Sequence, residues 1–241
     1  MNMLREGVAE NTLNSEAELL RRRLRTPRAA ATAGILFAGL LMTSQFLLWL
    51  SIPANPWGPA MVALRESKAV ALALNLVPFA GISFLWFIAV VRDHVGELED
   101  RFFATVFLAS GLLYVAMIFI AAAIAGALIG LLANLPDNQA TSAAYFFGRT
   151  EIYRITTIYG TRMAGVFMFS TSTIFLRTKV IPRWLAVTGY VLAAVLLVSI
   201  GSIKWVALIF PLWVLLISVR ILVQNRRGWR QRGAKAVGSM G

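Results

Sequence analysis

The chain's only histidine lies in a short polar stretch, RDHVGELEDRFF, which spans residues 92–103 between two apolar segments. His94 and Glu97 are three residues apart, a spacing that places both side chains on one helical face, where they could bind a metal ion. A metal site needs three or four ligands, and neither a second histidine nor any cysteine accompanies these two. We therefore predict a solvated connection between two helices, with metal or proton chemistry as the alternative.

Five polar residues inside long apolar segments are stronger candidates for a binding site. An intramembrane polar group must find a partner or it costs free energy. At 1.5 Å per residue, Arg162 lies about 8 Å from the outer edge of a roughly 30 Å hydrocarbon core. Gln45, Asn75 and Ser199 fall at a similar depth in three other segments, and Tyr159 is one turn from Arg162. These five residues could line an outward-facing solute site, in which Arg162 attracts an anion.

Structural roles are the alternative for the same residues. The long side chain of Arg162 can reach the outer lipid headgroups. Gln45, Asn75 and Ser199 can hydrogen-bond between helices for about 1 kcal/mol each. Pro78 and Pro211 expose carbonyl groups, as in the binding sites of transporters, but prolines are also common in membrane helices generally. The sequence leaves both interpretations open.

The segments that contain these residues are predicted to be transmembrane helices. Hydrophobic residues make up 59% of the 241-residue chain and charged residues only 14%, which is too little polar surface to cover a water-soluble globule. The fold class is predicted to be an all-α polytopic membrane bundle. With about 20 apolar residues per crossing, six transmembrane helices are predicted, at 31–52, 69–91, 103–132, 155–176, 184–201 and 205–223.

The distribution of positive charge predicts the orientation. Of the 23 Lys and Arg residues, 17 lie in the terminal segments and in the 92–101 and 177–183 connections, against six on the other side. The positive-inside rule then makes both termini cytoplasmic. The predicted organisation is a cytoplasmic amphipathic segment at 1–28, a six-helix transmembrane domain at 29–224 and a basic cytoplasmic tail at 225–241.

The basic residues and the small residues suggest partners. The formal net charge is +12, but the basic residues flank apolar runs, so we expect them to contact anionic lipid headgroups and no nucleic acid. Small residues that recur every fourth position allow close helix packing, within one bundle, in a homodimer or against a partner membrane protein. These residues are Ala122, Gly126 and Gly130, and Thr157, Thr161 and Gly165. The STST run at 170–173 can bond its hydroxyls back to its own helix.

Catalytic chemistry is not expected. The absence of cysteine excludes disulfides, thiolate metal sites and cysteine nucleophiles. No nucleophile with a base, set of metal ligands or pair of acids falls within the apolar segments, so we predict no enzyme, no metal and no cofactor. A small-solute or ion transporter and a non-catalytic accessory, assembly or signalling subunit are the two remaining functions.

One stretch resembles sequence from a known group of proteins. RDHVGELEDRFFATVFLASGLL, together with the six-span layout and the basic tail, resembles uncharacterised membrane proteins of actinobacteria. The resemblance covers about the second and third predicted helices and the overall organisation. It implies a multi-pass protein of the bacterial plasma membrane and no particular activity.

Overall fold

The computed structural model describes residues 29–50, 67–95, 101–134, 139–178, 182–199 and 205–238, and its elements in these ranges are all helical. The all-α prediction is therefore confirmed for this part of the chain. The predicted amphipathic segment at 1–28, residue Glu97 and the side chain of His94 lie outside the described residues. The elements are α1 (Ala29–Leu50), α2 (Lys68–Val95), α3 (Arg101–Asn134), α4 (Gln139–Tyr153), a π segment (Arg154–Gly160), α5 (Thr161–Thr178), α6 (Arg183–Val198) and α7 (Val206–Gly238).

Within the described ranges, four helices are long and apolar enough to cross a membrane, which is compatible with a multi-pass membrane protein. They are Ala29–Leu50, Lys68–Arg92, Phe102–Leu132 and Val206–Val223. Each coincides with a predicted span. The predicted span at 155–176 instead combines most of the π segment with α5, and the span at 184–201 corresponds to the shorter apolar helix α6. The count of six spans therefore stays a prediction.

Two helix ends differ from the sequence-based boundaries. α6 ends at Val198, because the backbone of Ser199 leaves the helical conformation at a ψ of 126°. α7 continues without interruption to Gly238, so most of the segment predicted as a tail at 225–241 is helical backbone.

α3 packs antiparallel against the chain that runs through α4, the π segment and α5. At one end, the guanidinium carbon of Arg177 lies 4.8 Å from the centre of the Phe103 ring. At the other end, a Cβ added to Gly148 would lie 3.2 Å from a methyl group of Leu128. Because these contacts are 25 residues apart on α3, the two helices run side by side over about 40 Å.

Five aromatic residues from five helices meet in the middle of the bundle. Ring centroids are 4.5 Å apart for Phe37 and Phe84, and 4.6 Å apart for Tyr114 and Phe210. Phe167 of α5 lies 5.1 Å from Phe84. All five side chains are buried, and most pairs meet edge to face or tilted, as aromatic pairs prefer. We call these five residues the aromatic centre.

The aromatic centre divides the bundle into two halves. Following the predicted orientation, we call the half that contains the π segment and Arg162 the outer half. The half that contains Arg177 is the inner half. α5 passes from one half to the other, with Phe167 at the boundary.

Candidate functional site

The inner half of α5 is polar yet buried. Ser170, Thr171, Ser172 and Thr173 are all buried, and four consecutive helical residues point in directions that surround the helix axis. Other helices must therefore cover α5 on every side at this level. A buried polar stretch in the middle of a helical bundle requires a hydrogen-bond partner for every hydroxyl.

Three of these four hydroxyls find a partner on α5 itself. Ser170, Thr171 and Thr173 donate to the carbonyl oxygen four residues earlier, over 2.9, 2.6 and 3.0 Å. The predicted self-bonding of the STST run is thus confirmed for these three. Thr173 also shares a 2.7 Å hydrogen bond with the hydroxyl of Tyr190, which joins α5 to α6.

Glycines allow α5 and α6 to approach closely. A Cβ added to Gly165 would lie 3.2 Å from the carbonyl oxygen of Ala193, and a Cβ added to Gly189 would overlap the hydroxyl of Ser172. The predicted packing role is confirmed for Gly165, the last of the three small residues at 157, 161 and 165. Gly126 and Gly130 of α3 differ, because a Cβ added to either would meet nothing within 4 Å.

The outer half contains a widened helical turn. Tyr153 and Thr161 flank the π segment with ordinary helical φ,ψ values of −60°, −47° and −61°, −40°, so the helix is continuous through it. The Thr161 hydroxyl donates over 3.1 Å to the carbonyl of Thr156, five residues earlier, and the Thr161 N–H points to the same oxygen. Single π turns are rare and are frequently found at functional sites.

Gly160 places the π segment against α3. It is buried, and an added Cβ would lie 3.2 Å from the carbonyl oxygen of Ile155 and 3.8 Å from Cβ of Met117. A larger residue would crowd the widened turn and separate it from α3.

Tyr159 and Arg162 lie at the end of this turn. Tyr159 is 57% exposed. Arg162 is half-buried, and its Nη1 donates to the carbonyl oxygen of Ile158 over 3.3 Å. The guanidinium group therefore stabilises a carbonyl of the π segment, and the two candidate residues are adjacent.

The other three predicted site residues lie on different helices. Asn75 of α2 is exposed, and its side-chain amide donates to the carbonyl of Ala71 over 3.0 Å. Ser199 is half-buried at the end of α6, where its backbone N–H bonds to the carbonyl of Val195. Gln45 of α1 is half-buried, and its Oε1 is buried with no hydrogen-bond partner among the described residues.

The described hydrogen bonds do not join these residues into one layer. The bonds of Asn75 and Arg162 stay within their own helices. On α2, Ala73 and Val77 are buried, and Asn75, two residues from each, points away from them. Asn75 is therefore the weakest member of the predicted site, and Gln45, with a buried acceptor to satisfy, is a stronger one.

Sequence reasoning missed Trp213 of α7 and the special position of Ser172. The indole of Trp213 is 1% exposed, and neither its Nε1 nor the hydroxyl of Ser172 has a hydrogen-bond partner within the described part of the chain. One signal was available, because a tryptophan eight residues inside a predicted span is unusual when most membrane tryptophans lie at the interfaces.

Metal ligands and similarity to known proteins give no further information about this site. Within the described residues, no three His, Cys, Asp or Glu side chains are grouped as metal ligands. No protein-family model matches the chain, and no curated protein or solved structure is significantly similar to it.

Proposed function

We propose that the chain is a transporter of a small solute or ion in a bacterial plasma membrane, with six spans and cytoplasmic termini. The observation that carries the proposal is the aromatic centre, which lies along α5 between Arg162 on one side and the STST run on the other. Polar groups on both sides of a closed apolar barrier are the arrangement expected of an occluded pathway. Ionisable side chains such as Arg162 are rare within membrane segments, and they often mark the pathway of a solute or ion.

The chemistry of the outer half supports an anionic solute that also carries a hydrogen-bond donor. Arg162 provides a permanent positive charge, and its guanidinium has five N–H groups, of which one binds the carbonyl of Ile158. Gln45 provides a buried carbonyl acceptor. We propose that Tyr159 and Ser199 complete the site and that Asn75 lies at its edge.

The accessory, assembly or signalling role remains the second candidate. It is supported by the open face of α3 around Gly126, where the predicted small-residue packing has no occupant within the described chain. A partner membrane protein or a second copy would cover this face. We also propose that anionic lipid headgroups bind the basic inner ends of the helices, where Arg177 lies.

Native mass spectrometry of the protein, released from its own membrane under mild conditions, tests the proposal. We expect a monomer or homodimer that retains a small anionic molecule. Arg162→Ala should lose this molecule, while Arg183→Ala, a matched control at an exposed arginine of the inner half, should keep it. Retention by Arg162→Ala with an unchanged thermal midpoint would contradict the proposed site.

The same measurement separates the two functions. A second protein bound in fixed stoichiometry, with no small molecule, would favour the accessory role. In that case Gly126→Leu should release the partner and Arg162→Ala should have little effect.

A further inference from the structure

We infer that Ser172 of α5 and Trp213 of α7 together bind one buried water molecule, between α5, α6 and α7 in the inner half. The inference is independent of the proposed transport function. It starts from two polar side chains that are 0% and 1% exposed and that lack a hydrogen-bond partner among the described residues.

Gly189 of α6 places the two groups close together. A Cβ added to Gly189 would overlap the hydroxyl of Ser172 and would lie 3.0 Å from Nε1 of Trp213. Both atoms therefore border the same small volume, and they lie within about 5 Å of each other. An upper limit of about 5 Å allows one oxygen to bridge them, because two hydrogen bonds of about 3 Å each span up to about 6 Å.

Ser172 departs from the pattern of its neighbours. Ser170, Thr171 and Thr173 all bond back to a carbonyl of their own helix. The side chain of Ser172 points instead towards Gly189. Its hydroxyl therefore makes no hydrogen bond to a carbonyl of α5. A buried hydroxyl without a protein partner is a characteristic position for ordered water.

The two groups have complementary hydrogen-bonding chemistry for water. The indole of Trp213 can only donate, whereas the hydroxyl of Ser172 can donate and accept. A water oxygen can accept from the indole and exchange a second hydrogen bond with the serine.

NMR of the full-length protein, labelled with ¹⁵N on its tryptophan indoles, tests the inference. The Trp213 indole signal is assigned by its loss in Trp213→Phe. In the unmodified protein we expect magnetisation transfer from water to this N–H. Ser172→Ala should reduce the transfer at least two-fold, whereas Ser170→Ala, the matched control, should leave it unchanged.

Two NMR results would overturn the inference. The first is a Trp213 indole that receives no magnetisation from water, while the other indole signals show that the protein is folded. The second is equal transfer in Ser172→Ala and the unmodified protein. A third result would come from a crystal structure that resolves ordered water. A direct bond from Nε1 of Trp213 to the Ser172 hydroxyl, with no water oxygen between them, would also overturn the inference.

Discussion

The two halves of the bundle differ in how far their polar side chains are buried. In the outer half, Asn75 is exposed, Arg162 is half-buried, and their described hydrogen bonds stay within their own helices. In the inner half, polar residues are buried, and Thr173 bonds across to Tyr190 on the next helix. The outer half also has one bond between helices, from the buried hydroxyl of Ser44 to a carbonyl of α2 over 2.8 Å. What distinguishes the outer half is that Asn75 and Arg162 keep partly exposed side chains in the candidate site.

Two glycines of the bundle differ in their surroundings. The side chains of Ser172 and Trp213 pack against Gly189 in the inner half, whereas Gly126 on α3 faces open space. The difference teaches that the same small-residue pattern has two uses. One allows close packing inside the bundle, and the other leaves a surface uncovered.

The largest effect should come from the aromatic centre that separates the halves. Phe84→Ala removes a fully buried ring that contacts Phe87 and the other four residues of the aromatic centre. We expect it to lower the free energy of unfolding by about 3 kcal/mol, because the cavity cannot be refilled by rigid neighbours. Unfolding by sodium dodecyl sulfate in mixed micelles measures this change.

Phe79→Ala on the same helix is the control for this prediction. Its ring is 62% exposed, and the same loss of side-chain volume should change the free energy of unfolding by less than about 0.5 kcal/mol. Equal effects of the two substitutions would mean that the aromatic rings do not form a packed barrier.

Overpacking of the glycines should give the next largest effect. Gly189→Leu inserts a side chain where Ser172 and Trp213 already lie, and we expect it to lower the free energy of unfolding by about 2 kcal/mol. Gly126→Leu should leave the stability of the monomer nearly unchanged, because its surroundings are open. Similar losses for both substitutions would remove the distinction between packed and uncovered glycines.

The hydrogen bond between α5 and α6 should contribute less. A double-mutant cycle of Thr173→Val and Tyr190→Phe should give a coupling free energy of about 0.6 kcal/mol, the usual size for a hydrogen bond between membrane helices. The same unfolding titration measures it. Additive effects of the two substitutions would show that the 2.7 Å contact makes no independent contribution.

The smallest effect on stability should come from the outer half. Asn75→Ala removes an exposed bond within one helix, so we expect a change below about 0.5 kcal/mol. Arg162→Ala should also leave the fold intact, because Ile158 loses only a side-chain donor to its carbonyl. A thermal midpoint that falls sharply for Arg162→Ala would assign this arginine a structural role.

Apolar length predicted the helices well, but not the details within them. Four of the predicted spans coincide with long apolar helices, because about 20 apolar residues suffice for a crossing wherever they occur. The π segment at Arg154–Gly160 was not foreseen. The widened turn brings the carbonyl of Ile155 close to Gly160, where an added Cβ would lie 3.2 Å from it, and the length of the apolar run does not encode that contact.

The candidate site was predictable only as a set of residue types at one depth. Sequence position determines how deep Gln45, Asn75 and Arg162 lie, because the helical rise is constant. It does not determine which way each side chain points across the bundle. Asn75 points away from the core, and Gln45 has a buried acceptor.

The sequence by itself indicated a lipid environment, the all-helical class and the approximate helix boundaries. These follow from composition and from the length of apolar runs. Only the tertiary structure decided which helices are neighbours, that five aromatic rings meet at one level, and that Ser172 faces Trp213 across Gly189. Rotation of each helix about its axis is the physical reason. It is set by packing against other helices, and an apolar helix surrounded by lipid has no hydrophobic face that would reveal it.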